Sequence, residues 1–224
     1  MEGSQTVEGQ HVRVIAIDGP AGSGKSTVGR LLAERLGLTY LDTGAMYRAV
    51  AFAAIRRGVD PADVEPVAEL ARSLELEVTD GAVTVDGVDA TVEIRGPEVS
   101  RAVSLVATNP QVRDEMRTRQ RLWAQERGGG VIEGRDIGSV VFPDAVLKVY
   151  LTADPEVRAR RRAKEMTDMD YDTVAADIAR RDAADQGRQD SPLVEADGAV
   201  NVDTSGLTIE GVVDLLVDLV ERRS

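Results

Sequence analysis

The eight residues Gly19-Pro20-Ala21-Gly22-Ser23-Gly24-Lys25-Ser26 restrict what this chain can fold into more than any other feature. They follow the apolar, β-branched run VRVIAID at 12–18, and they lead into Val28, Leu31, Leu32 and Leu36, which recur at helical spacing until Gly37. Glycine lets successive backbone N–H groups converge on one point, and the following helix adds its unpaired amides and the positive end of its dipole. A strand, a G-x-x-x-x-G-K-S turn and a helix, in that order, make a cradle for a polyphosphate. Lys25 is spaced to reach the outer phosphates, the Ser26 hydroxyl to ligate Mg²⁺, and Thr27 continues the same turn. Kinases, switches, motors and ATPases all use such a loop, so it implies a ligand class and not an activity.

The rest of the chain alternates short apolar runs with helical patterns. Strands are predicted at 12–18, 38–41, 131–133, 146–151 and 199–203. Helices are predicted at 44–57, 61–74, 155–165, 172–184 and 208–222, with Pro61 in a first turn and Gly58 and Gly128 to Gly130 as terminators. A long helical stretch at 97–127 should break near Asn109-Pro110, because proline disfavours helix at the preceding residue. Between 75 and 95 the texture changes to short alternating runs punctuated by Asp-Gly pairs, the pattern of a small antiparallel meander. Strands alternating with helices imply an α/β fold with a parallel sheet covered on both faces.

Composition excludes several chemistries. The chain has no cysteine, hence no disulfide, thiolate metal site or cysteine nucleophile, and its single histidine, His11, lies in a polar leading segment expected to be solvent-exposed. A formal charge of −12 opposes general nucleic-acid binding. No apolar run is long enough to span a bilayer, and MEGSQTVEGQ lacks the features of a signal peptide, so a cytoplasmic protein is expected. The basic residues are nearly all arginine, the planar fork that suits phosphate, and they cluster at Arg158 to Arg162 and at Arg180, Arg181 and Arg188.

Two further motifs are specific. Asp42-Thr43-Gly44-Ala45-Met46-Tyr47-Arg48 and, at the end of a predicted strand, Glu133-Gly134-Arg135-Asp136 resemble signatures of bacterial-type cytidylate kinases. The resemblance runs from about Val12 to near the end, and takes in the short-strand insert, the RARRR run and the late RRDAADQGR segment. It implies a three-layer α/β/α P-loop kinase: a five-stranded parallel sheet, an acceptor-binding arm carrying a small antiparallel β insert, and a lid. The expected division is an extension at 1–11, a core at 12–37, 105–153 and 173–224, an arm at 38–104 with its insert near 75–96, and a lid at 154–172. The residues 1–11 read as disordered, and the lid is shorter than is common in the family.

By the same resemblance, ATP and CMP or dCMP are the partners, Mg²⁺ the cofactor, and a monomer the default state. Arg48, Arg135 and Arg188 are then expected on the acceptor phosphate. Ser104 and Asp136 would accept from the exocyclic amine of cytosine, and Arg113 would donate to its other edge. Tyr47, Thr43, Arg181 and Asp185 shape the pocket, the last two near the sugar. Arg158, Arg161 and Arg162 match lid arginines that act with Lys25 and Arg135 on the transferred group. Glu133 and Asp18, at strand ends beside the glycine loop, are candidates to hold Mg²⁺ through water. Two alternatives are an adenylate, shikimate or gluconate kinase type and a non-catalytic nucleotide switch; the missing N-K-x-D signature and the acceptor-side arginines count against the switch.

Overall fold

The computed structural model describes residues 12–165 and 170–223. The predicted extension with His11, and positions 166–169 of the predicted lid, lie outside the described residues. The sheet has five parallel strands in the order β2-β6-β1-β7-β8, namely β1 (Arg13–Asp18), β2 (Tyr40–Asp42), β6 (Gly129–Gly134), β7 (Leu147–Thr152) and β8 (Val200–Asp203). Alternation of side chains along each strand splits the core in two. Val14, Ala16, Leu41 and Ile132 face one layer, made by α2 (Thr43–Arg56), α4 (Pro97–Thr108) and α5 (Pro110–Arg127). Ile15, Ile17, Val131, Leu147 and Val149 face the other, where α1 (Lys25–Leu36) lies beside α8 (Ile209–Glu221).

The predicted meander is a separate three-stranded antiparallel sheet of β3 (Leu76–Val78), β4 (Val83–Val85) and β5 (Val88–Asp89). The break in the long helix falls at Asn109, whose side chain accepts from the amides of Gln111 and Val112 and so restarts the helix as α5. Two boundaries differ from expectation. Helix α3 (Val64–Ser73) begins after Asp63, and Pro61 stays in the preceding turn. Gly129 and Gly130 do not extend the helix stop; they open β6, where a side chain on Gly129 would sit 2.1 Å from the Arg13 carbonyl oxygen of β1.

Register fixes where the site lies. Asp18, the last residue of β1, is level with Gly134, the last of β6. The glycine loop and the Arg135-Asp136 turn therefore leave the sheet side by side at its carboxyl edge, which is where open α/β sheets take their ligands. Helices α6 (Pro155–Glu165) and α7 (Tyr171–Gln186) pack together through Ala159, Val174 and Ile178 and cover the same edge.

Candidate functional site

The glycine loop is held by steric necessity. Gly19 has φ 148°, and a side chain there would lie 2.1 Å from the Leu151 carbonyl of β7, so the loop turns with its backbone against the sheet. Lys25 is buried, and its Nζ donates to Pro20 O at 2.7 Å. Burial, and then the charge of Arg135, lower its pKa to about 7.

Opposite the loop, the Thr43 hydroxyl donates to Glu133 O at 2.6 Å, tying the start of α2 to β6. Tyr40 O–H donates to Glu133 Oε1 at 2.6 Å, while Glu133 Oε2, buried, has no protein partner. Burial, reinforced by Asp42, raises the Glu133 carboxyl above the usual range. Asp18 is also buried, and both of its oxygens accept backbone amides, from Ile137 at 2.8 Å and Gly138 at 2.7 Å. Desolvation outweighs those bonds and raises its pKa to about 6. Asp18 thereby anchors the π-helical turn Ile137–Val141 that follows Asp136, and it is not among the residues that line the cleft.

Between these walls lies a cleft of about 1060 Å³, the open solvent at its mouth included. Among the described residues, eight cations line it (Lys25, Arg48, Arg95, Arg113, Arg135, Arg162, Arg181 and Arg188) against the carboxylates of Asp42, Glu133, Asp136 and Asp185. In a chain of net charge −12, that local excess of positive charge is an anion trap. Arg48 is fixed by donating to Ile94 O and Ser100 Oγ, each at 3.0 Å, and burial with the nearby Arg181 and Arg162 brings its pKa down to about 9. Asp185 accepts from Arg135 Nε at 2.7 Å and from Arg188. Burial and Arg135 hold the Arg181 pKa down as well. Deeper in, Arg113 is 1% exposed; it donates to Asp136 Oδ2 at 2.6 Å and lies over the Tyr47 ring at 5.7 Å. Ser104 lines the same wall.

A family model described as cytidylate kinase matches residues 15–222. The chain belongs to the cytidylate kinase family. A cytidylate kinase of Mycolicibacterium paratuberculosis is 50% identical over 94% of this chain and 96% of its own length, and one of Streptomyces griseus is 47% identical over 98% of each. A bifunctional pantoate ligase/cytidylate kinase of Synechococcus is 50% identical over 94% of this chain, which spans 45% of that protein. Among solved structures, an uncharacterized protein from Eubacterium ventriosum superposes with a TM-score of 0.55 at 13% identity, covering 93% of this chain and 98% of that one, a likeness of fold.

Most residues expected from the cytidylate kinase motifs meet in this one cleft: Lys25, Ser26, Thr43, Tyr47, Arg48, Ser104, Arg113, Glu133, Arg135, Asp136, Arg162, Arg181, Asp185 and Arg188. Two of the three expected lid arginines, Arg158 and Arg161, do not line this cleft. Arg158 donates to Ala153 O, Ala21 O and Asp182, and Arg161 donates to Thr204 Oγ1 at 2.9 Å and Thr204 O at 2.7 Å. Arg158 thus contacts the glycine loop directly, and Arg161 contacts it through Thr204, whose Oγ1 also reaches Ser23 O at 3.2 Å. Arg162 alone of the three lines the cleft. Arg95 and Asp42, 3.5 Å apart on its rim, carried no signal strong enough to single them out in sequence.

Ser26 and Glu133 are the residues at the mouth of the loop that could hold Mg²⁺. The unpaired Glu133 Oε2 stands beside the exposed Ser26 at the mouth of the loop, while among the described residues no cluster of three or more acidic or imidazole ligands forms a protein cage. Few protein ligands, with water and phosphate completing the shell, is the usual way Mg²⁺ is held. Among the same residues, no helix is long and apolar enough to cross a membrane.

Proposed function

We propose that the cleft carries out in-line transfer of the γ-phosphate of ATP to CMP or dCMP, giving ADP and CDP or dCDP. One observation carries this reading: the phosphate loop and the Arg135-Asp136 turn leave adjacent strands at matched register, into a cleft lined by further arginines, in a chain of the cytidylate kinase family. Two polyanions must be brought together, and transfer of this kind asks the protein for position and charge, not for a covalent intermediate.

The loop amides and Lys25 hold the β- and γ-phosphates of the donor. Arg48, Arg135 and Arg188 hold the acceptor phosphate, where the guanidinium fork suits a doubly bonded contact. Arg162 and Arg135 stand between the two and offset charge as it spreads over the transferred group. Ser26 Oγ and, through water, Glu133 would hold Mg²⁺, which when bound supplies positive charge to the phosphate oxygens. Cytosine lies against Ser104, Asp136 and Arg113, which present acceptors to its amine and a donor to its other edge. Uracil would set its carbonyl against the Asp136 carboxylate.

The deciding experiment mixes purified protein and Mg·ATP with each nucleoside monophosphate in turn, and shikimate and gluconate besides. ADP release should be fastest with CMP or dCMP; comparable rates with AMP end the assignment.

A second expectation follows from Lys25. With a pKa near 7 in the free protein, it is mostly neutral at pH 8, and an adjoining polyphosphate favours its charged form. Binding of an ATP analogue at pH 8 should take up roughly one proton, and at pH 6 almost none. Titration calorimetry in buffers of different ionisation enthalpy measures this. Identical heats in all buffers at pH 8 mean that Lys25 is already charged.

A further inference from the structure

The peptide of Ala21, inside the glycine loop, is gripped from both sides. Its N–H donates to Asp182 Oδ1 at 3.2 Å, and its carbonyl accepts from Arg158 Nη1 at 3.0 Å. The same Nη1 pairs with Asp182 Oδ2 at 2.5 Å, so the loop, α6 and α7 close one circuit. The circuit is nearly dry, its side chains being 9% and 13% exposed, and Arg158 is further tied by Nε to Ala153 O at 3.1 Å. Swinging Arg158 out would abandon all of these acceptors at once.

Asp182 also stands three residues before Asp185, on the same face of α7. Asp185 reaches Arg135 and Arg188, on the acceptor side, whereas Asp182 reaches the donor loop. One helix face thus touches both halves of the cleft through two different carboxylates.

We propose that Asp182 is a positioning residue for the phosphate donor. By taking the Ala21 N–H and pressing Arg158 against the Ala21 carbonyl, it holds the loop in the shape a polyphosphate binds, and it leaves the acceptor untouched. The loop needs such a brace because Gly22 and Gly24 stand at φ 76° and 91°, where the backbone is soft. A cradle ordered only on binding gives up affinity to the ordering. The inference rests on the ATP-to-CMP reading above.

The test is steady-state kinetics with ATP varied at saturating CMP and then the reverse, on wild type, Asp182→Ala, Asp182→Asn, Arg158→Ala and the double Ala variant. CMP-dependent ADP release by wild type checks the reaction itself, so its absence counts against the functional reading and not against Asp182. Asp182→Ala should raise KM for ATP about tenfold, the scale of one lost charged hydrogen bond, with KM for CMP within about twofold of wild type. Asp182→Asn keeps an oxygen for the Ala21 N–H and should recover much of the loss. Arg158→Ala should add little to Asp182→Ala, since the circuit is already open. Equal rises in both KM values, or an unchanged KM for ATP, would overturn the proposal, because a strut that merely joins α6 to α7 cannot tell donor from acceptor. If Asp182→Ala does not fold, the Asn variant and Arg158→Ala decide by the same comparison.

Discussion

Lys25→Met should reduce phosphoryl transfer by about a thousandfold or more while leaving the folded protein as stable as before, or more so. The loss reflects a buried cation removed from the point where charge develops, where single preorganised groups contribute on the order of a hundredfold to a thousandfold. The stability expectation follows from the sign of the pKa shift. In the free protein burial and Arg135 disfavour the ammonium and lower its pKa from 10.5 to about 7. A lysine depressed in this way costs the fold most below pH 7, where it is charged in both the folded and the unfolded chain. The cost fades as pH rises from 7 towards 10.5, because only the unfolded chain then keeps the proton. Methionine fills the space without the charge. Thermal unfolding near pH 6.5 should thus show no loss in the variant, alongside collapsed turnover; a clear fall in Tm would mean that the contact to Pro20 O stabilises more than desolvation costs.

Asp136→Ala should act in the opposite way, with both stability and selectivity suffering. Arg113 is among the largest fully buried side chains, and its pair with Asp136 at 2.6 Å is its one close carboxylate contact, Asp190 lying 3.8 Å from Nε. Deleting one partner of a buried pair costs about 3–5 kcal/mol because the other charge is stranded. For a chain of this size that corresponds to a fall in Tm of about 10 °C. In the protein that remains folded, the preference for CMP over UMP should drop at least about tenfold, with little change in KM for ATP. Asp136→Asn retains an acceptor oxygen and should keep more of the stability than Ala. Should the ratio of CMP to UMP turnover survive the Ala substitution, the base is read elsewhere.

Much of this is legible in the sequence. The Gly19-to-Ser26 loop carries its own mechanism, and Asn109-Pro110 marks the helix break through one side chain and one missing amide. Arg48, Arg135 and Asp136 sit in motifs dense enough to assign as a group. Partnership across the fold was not legible. Arg158, Arg161 and Arg162 read together as lid arginines, yet the three meet different environments: Arg158 a carboxylate on the next helix, Arg161 a threonine after β8, Arg162 the cleft. Asp18 sits at a strand end with no local sign that it accepts two amides from residues 119 and 120 positions away and so anchors the turn after Asp136. Local pattern records what a side chain is, and not what the topology brings to it.

The matched ends of β1 and β6 have one more consequence. Neighbouring strands stand about 4.8 Å apart, a spacing set by main-chain hydrogen bonds and indifferent to side chains. The spacing between the start of the glycine loop and the start of the Arg135-Asp136 turn is therefore set by the sheet, like the pitch of a ruled page, and substitutions in the arm around Tyr47, Arg95 or Ser104 leave those two anchor points where they are.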